Sequence, residues 1–140
     1  MDQPQARLDS RQTERQEWIA VVDDDPSIRS SLARLMRSEG IVVETFAAPS
    51  DFLAAIASDG PPSCLVLDVH LGTESGFDLQ DTLAVTHATL PVILMTGHDK
   101  ISSAELARRA GPDGFLRKPF DSDLILGIVR RRAELLGRPA

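Results

Sequence analysis

Short runs of apolar residues recur along the chain, and most of them stop on a polar or charged side chain. They lie at residues 18–22, 41–46, 63–68, 91–96 and 114–117. The unbroken run at residues 64–67 is typical of a strand buried on both faces, as in a parallel sheet covered by helices. The run at 41–46 contains Glu44, which predicts a strand at the edge of the sheet.

The segments between these runs have apolar residues at helical spacing. They predict helices at 26–39, 49–58, from the 70–76 loop to about 86, at 101–110 and at 121–136. Pro26 suits the first helical position with Asp25 as the N-cap, and Asp121 or Ser122 suits the cap of the last helix. Because βαβ crossovers are right-handed, the carboxyl ends of all five strands should meet at one edge of one sheet.

The length of 140 residues is that of a single domain. We expect a disordered or weakly helical arm at 1–17, a folded domain at 18–136 and a short tail at 137–140. The net charge of −6 argues against nucleic-acid or anionic-membrane binding. The single cysteine, Cys64, is predicted to be a packed core thiol. With neither a signal peptide nor a long apolar run, the sequence predicts a cytoplasmic protein.

Polar side chains mark the predicted strand ends. They are Asp23 and Asp24 after the first strand, Asp68 after the third, Thr96 after the fourth and Lys118 after the fifth. Adjacent carboxylates repel one another, and a divalent cation with oxygen ligands would stabilise them, although a solvated acidic turn explains Asp23 and Asp24 as well. Lys118 is one of only two lysines in the chain, which makes its place at this edge notable.

The chemistry that needs such a set is phosphoryl transfer to a carboxylate. We predict Asp68 as the acceptor and Mg²⁺ held by Asp23, Asp24 and Asp68 as the main neutralising charge. Lys118 and the Thr96 hydroxyl are predicted to bind phosphoryl oxygens.

From about residue 18 to residue 136 these motifs resemble the receiver domain of two-component response regulators. The segments Met-Thr-Gly-His at 95–98 and Lys-Pro-Phe at 118–120 are most similar to the nitrogen-fixation regulator subgroup. The resemblance implies a flavodoxin-like five-stranded parallel sheet with strand order 2-1-3-4-5 and helices on both faces.

Residue roles also follow from the resemblance. It implies that Asp68 is the phosphoacceptor, that the backbone carbonyl of His70 completes the Mg²⁺ site, and that Thr96 and Phe115 are switch residues. It also implies a cis peptide bond between Lys118 and Pro119. The side chains of His70 and His98 match positions that tune phosphoryl lifetime, with exposed loop histidines as the alternative. Leu71-Gly72 stands where the family commonly has Met-Pro, which predicts a less rigid loop.

The implied partners are a sensor histidine kinase or phosphotransfer protein, a downstream protein target and a second copy of the chain. The last two would use the face formed by residues 101–110, 114–117 and 121–136. We expect a stand-alone receiver, neither an enzyme nor a direct binder of nucleic acid or membrane.

Two alternative functions are compatible with parts of the sequence. One is the front portion of a DNA-binding transcriptional regulator. The other is a phosphatase of the haloacid dehalogenase type, which the Asp-Asp-Asp sequence at 23–25 permits but Pro26, in place of the expected glycine, disfavours.

Overall fold

The structure is a computed structural model that describes residues 17–97, 103–110, 115–119 and 121–135. Within these residues the strands are β1 (Ile19–Val22), β2 (Val43–Phe46), β3 (Cys64–Asp68), β4 (His70–Leu71), β5 (Glu74–Ser75), β6 (Val92–Thr96) and β7 (Phe115–Arg117). The helices are α1 (Pro26–Ser38), α2 (Pro49–Asp59), α3 (Gly76–Thr86), α4 (Ser103–Arg109) and α5 (Ser122–Leu135).

The main sheet of the described chain is parallel and has the order β2-β1-β3-β6-β7. Without the two short strands β4 and β5, this is the predicted order 2-1-3-4-5, so the flavodoxin-like prediction is confirmed. β2 lies at one edge and exposes Glu44, as its sequence predicted. The order places the carboxyl ends of β1 and β3 side by side, with β6 next to β3.

The core has two layers because alternate residues of each strand face opposite sides of the sheet. On one side Val21 and Val66 pack among the buried residues of α1 and α5, such as Met36 and Ile125. On the other side the buried residues of α2, α3 and α4 cover the sheet. This second layer includes Val22, Leu65, Leu67, Phe52, Leu79, Leu83 and Leu106. Burial on both sides explains why the strand sequences are continuously apolar.

The ends of the elements follow local chemistry. Asp25 caps α1 by accepting a 2.9 Å hydrogen bond from the Ser27 amide, with Pro26 in the first turn. Asp121 caps α5 by accepting from the Asp123 amide at 2.8 Å. The second strand was predicted to begin at Ile41 but begins at Val43. The reason is that the Ile41 amide donates a hydrogen bond to the Met36 carbonyl at the end of α1.

The predicted loop at 70–76 contains a small hairpin, in which antiparallel β4 and β5 are joined by Gly72 and Thr73. Gly72 has a φ of +66°. A positive φ at the first loop position is the pattern of a type II′ turn. Proline, which has a φ near −65°, cannot adopt this conformation. A proline at position 72 would therefore not fit the backbone of this loop.

Trp18 is buried at the start of β1 and meets Phe46 edge-on, with 6.5 Å between the ring centroids. Cys64 is fully buried in β3, as the sequence predicted. Across the part of the chain that the structure describes, the helices are too short or too polar to span a bilayer.

Candidate functional site

The carboxyl ends of β1 and β3 bring three carboxylates together. Asp23 and Asp68 are buried, whereas Asp24 is exposed. One oxygen from each of Asp23, Asp24 and Asp68 lies within 4.8 Å of the other two. The parallel pairing of β1 with β3 produces this arrangement, because residues that follow the paired Val22 and Leu67 emerge at the same edge.

Lys118 lies between the two buried carboxylates. Its Nζ is 2.8 Å from Asp23 Oδ2 and 3.3 Å from Asp68 Oδ2. Burial acts to lower the pKa of Lys118, but the hydrogen bond to Asp23 and the charges of Asp68 and Asp23 outweigh it and raise the pKa. The lysine is therefore a fixed cation at neutral pH.

Asp68 has an unusual electrostatic environment. Burial, followed by the charge of Asp23, raises the pKa of Asp68 to about 6, against the opposing effects of the His70 amide and Lys118. The His70 amide donates to Asp68 Oδ1 at 3.2 Å. Asp68 is thus a buried carboxylate that stays largely ionised at pH 7 and is more basic than an exposed aspartate.

Thr96 ends β6 beside Asp68 and is fully buried. Its backbone carbonyl accepts a 2.8 Å hydrogen bond from the Lys118 amide, which joins the ends of β6 and β7. The next residue, Gly97, leaves room for the lysine, since a Cβ there would lie 3.4 Å from Lys118 Cδ. The peptide bond between Lys118 and Pro119 is cis.

Two further residues support the site, and sequence reasoning did not single them out. Arg29 of α1 donates from Nη1 to the Asp23 carbonyl at 2.8 Å. Gly76 begins α3, and a Cβ there would lie 3.0 Å from Val69 Cα and closer still to the Asp68 carbonyl oxygen. The Gly-Phe sequence after a polar loop indicated the start of a helix. The close approach of Gly76 to Asp68 depends on how α3 packs against β3, which the local sequence does not indicate.

The other predicted residues lie around this centre. Phe115 is half-buried at the start of β7, and the Arg117 guanidinium lies 5.6 Å from its ring centroid. His70 occupies β4, next to the acidic cluster. His98 lies outside the described residues.

The donor set fits a hard divalent cation. Three clustered carboxylates supply the oxygen ligands that Mg²⁺ prefers, and two of them are buried, where an uncompensated pair of charges is costly. Lys118 compensates only part of that charge.

The fold and the site together define a class of protein: a doubly wound α/β domain with an acidic pocket, a lysine and a hydroxyl at the carboxyl edge of its sheet. The model of the response regulator receiver domain matches residues 19–130. The chain therefore belongs to the receiver family of two-component systems, in which phosphorylation of an aspartate and Mg²⁺ binding are standard.

Regulators of this family are similar to the chain over most of its length. The response regulator protein TodT of Pseudomonas putida is 35% identical over 88% of the chain and 54% of its own length. The transcriptional regulatory protein FixJ of Azorhizobium caulinodans is 38% identical over 87% of the chain and 56% of its own length. The chain thus spans about half the length of these relatives, and the similarity to FixJ agrees with the predicted subgroup.

Among solved structures, the beryllofluoride-activated NtrC4 receiver domain dimer has a TM-score of 0.75 and 26% sequence identity. The match covers 87% of this chain and all of that one. The family assignment leaves the phosphatase alternative without support.

Proposed function

We propose that the chain is a phosphorelay receiver that accepts a phosphoryl group on Asp68. The observation that carries the proposal is the position of this carboxylate: buried at the end of β3, 3.3 Å from Lys118 and clustered with Asp23 and Asp24. The donor is a phosphohistidine of a sensor kinase or phosphotransfer protein.

In the transfer, an oxygen of ionised Asp68 attacks the phosphorus, the new P–O bond forms, and the P–N bond to the donor histidine breaks. The histidine leaves with the electron pair of that bond. Asp23, Asp24, Asp68 and the His70 carbonyl would hold Mg²⁺, which supplies positive charge to the phosphoryl oxygens when bound. Lys118 binds one phosphoryl oxygen, and the Thr96 hydroxyl donates a hydrogen bond to another.

The output of the reaction is a change of surface. Thr96 moves toward the phosphoryl group, Phe115 turns inward, and the face formed by α4, β7 and α5 changes its partners. This is a local charge event that biases a two-state element. Leu124 of α5 is 52% exposed, which supports a role for this face in contacts with a protein target or a second copy. The dimeric state of the NtrC4 receiver supports contact with a second copy of the chain.

A DNA-binding context is the second candidate. It is favoured because the chain covers only about half the length of relatives such as FixJ, whose name describes a transcriptional regulator. A gel shift with the phosphorylated native gene product tests it, and a shift that depends on Asp68 would replace the stand-alone prediction.

The histidine proposal is tested separately. We propose that His70 and His98 set the lifetime of the phosphoryl group. Autodephosphorylation of His98→Ala at the wild-type rate would show that this side chain is an ordinary loop histidine.

Intact mass after incubation with acetyl phosphate tests the main proposal. We expect a single phosphoryl adduct in the wild type with Mg²⁺, and none with excess chelator or in Asp68→Asn. The exposed Asp51→Asn is the matched control and should react as the wild type does. An adduct of equal yield in Asp68→Asn would refute the assignment.

A further inference from the structure

Helix α4 is weakly anchored by apolar packing. Its described part, Ser103–Arg109, spans seven residues, and isolated helices shorter than roughly 12 residues are marginal in water. Among its described side chains, Leu106 is fully buried, whereas Ala104, Ala107 and Arg108 are exposed. Among the described contacts of α4, polar interactions with α3 add to the packing of Leu106.

Arg109, the last residue of α4, forms most of the described polar contacts between α4 and α3. Its Nη1 donates to Asp81 Oδ1 at 2.9 Å and lies 3.4 Å from Gln80 Oε1. The Arg109 carbonyl accepts from Gln80 Nε2 at 2.7 Å. Both the side chain and the backbone carbonyl of Arg109 are thus hydrogen-bonded to α3.

The ring of Phe77 completes the attachment. The Arg109 guanidinium carbon lies 4.5 Å from the ring centroid, within the range of a cation–π interaction. Glu105 Oε2, one turn earlier on α4, is 3.7 Å from Arg109 Nε. The Arg109 side chain is only 28% exposed, so these contacts are less screened than those of a fully solvated ion pair.

This attachment lies on the path from the site to the output face. α4 follows β6, which ends at Thr96, and precedes β7, which leads to Lys118. The proposed movement of Thr96 toward the phosphoryl group would therefore act on the segment of chain that contains α4.

We propose that Arg109 is the positioning residue of the switch: it fastens α4 to Phe77, Gln80 and Asp81 of α3 and favours the form of the receiver that is less reactive toward phosphoryl donors. Because linkage is reciprocal, an interaction made only in the unphosphorylated form opposes phosphorylation by the same factor by which phosphorylation weakens it. The inference rests on the proposed function and adds a regulatory residue outside the pocket.

The neighbouring Arg108 provides a matched control. It lies on the same helix, its described ion pair is with Glu105 on that helix, and its side chain is 65% exposed. Arg108→Gln and Arg109→Gln make the same change of charge in adjacent positions, but only the second removes contacts with α3.

The test measures the initial rate of adduct formation with acetyl phosphate and Mg²⁺, together with amide hydrogen exchange of residues 103–110. We expect Arg109→Gln to react about fivefold faster than the wild type and to exchange faster in α4, while Arg108→Gln matches the wild type in both. Asp81→Asn, a change at a 65% exposed side chain, removes the ion pair from the α3 side and should accelerate the reaction in the same direction.

A merely structural role for Arg109 would lower the free energy of unfolding without accelerating the reaction. If Arg109→Gln and Asp81→Asn form the adduct at the same initial rate as Arg108→Gln and the wild type, this inference is overturned and the proposed function is left intact. A wild type without any Asp68-dependent adduct would overturn both.

Discussion

Asp68 carries an ionisable carboxyl group at a buried position, where the charged form is disfavoured. The end of a buried strand excludes water, and Asp23 adds a like charge nearby, so folding raises the pKa of Asp68 and stabilises its protonated form relative to that of an exposed aspartate. Lys118 and the His70 amide oppose this effect but do not cancel it.

The raised pKa predicts a pH dependence of stability. Because the folded-state pKa of about 6 lies above the ordinary value of 3.8, the free energy of unfolding should fall as pH rises from about 4 to 6. In chelator, Asp68→Asn should be more stable than the wild type at pH 7, by about 1–3 kcal/mol, the upper limit corresponding to the full shift. The difference should vanish below pH 4.

Urea unfolding of the two proteins between pH 3.5 and about 8 measures this difference. The exposed Asp51→Asn controls for the loss of a charge and should show no comparable gain. An Asp68→Asn variant less stable than the wild type at pH 7 would mean that the contact with Lys118 outweighs burial.

At the scale of elements, the junction between β3 and α3 holds the backbone of Asp68 in place. The Gly76 amide donates to the Val69 carbonyl at 2.6 Å, and the backbone of Gly76 passes directly against that of Asp68. The first turn of α3 thereby packs against the carboxyl end of β3.

Gly76→Ala should consequently destabilise the protein by about 1–3 kcal/mol, as overpacking of a closed site does. Gly127→Ala is its control, because a Cβ at this position in α5 would meet nothing within 4 Å. The control should be neutral or stabilising by about 0.4–1 kcal/mol. Equal effects of the two substitutions in urea unfolding would contradict the close approach at Gly76.

The elements also show how far sequence reasoning reaches. The five strands of the main sheet were predictable because burial on both faces leaves continuous apolar runs such as 64–67, and the strand ends were visible as changes to Asp, Thr or Lys. The β4-β5 hairpin was not, since two-residue strands have no periodicity. The Arg109 contacts with Phe77 and Gln80 were also missed, because they join residues about 30 positions apart.

At the scale of the whole molecule, the proposed metal site predicts that Mg²⁺ changes the stability of the protein. A ligand that binds only the folded state raises the free energy of unfolding by RT ln(1 + [L]/Kd), about 1.4 kcal/mol at ten times Kd. We expect Mg²⁺ to stabilise the wild type by this relation. Asp24 is exposed and is a proposed ligand of the ion, so Asp24→Asn should fold normally and lose most of the Mg²⁺ effect.

Thermal unfolding with and without Mg²⁺ measures the effect, and Asp51→Asn should respond as the wild type does. Equal stabilisation of Asp24→Asn would place the ion elsewhere on this acidic chain. Removal of the metal with chelator should reverse the stabilisation.

The central claim is that Asp68, and neither of its acidic neighbours, carries the phosphoryl group. Borohydride reduction of the phosphorylated protein converts an aspartyl phosphate to homoserine, and peptide mass spectrometry locates that residue. We predict homoserine at position 68 alone, dependent on acetyl phosphate and Mg²⁺. Homoserine at position 23 or 24, with aspartate retained at 68, would contradict the account.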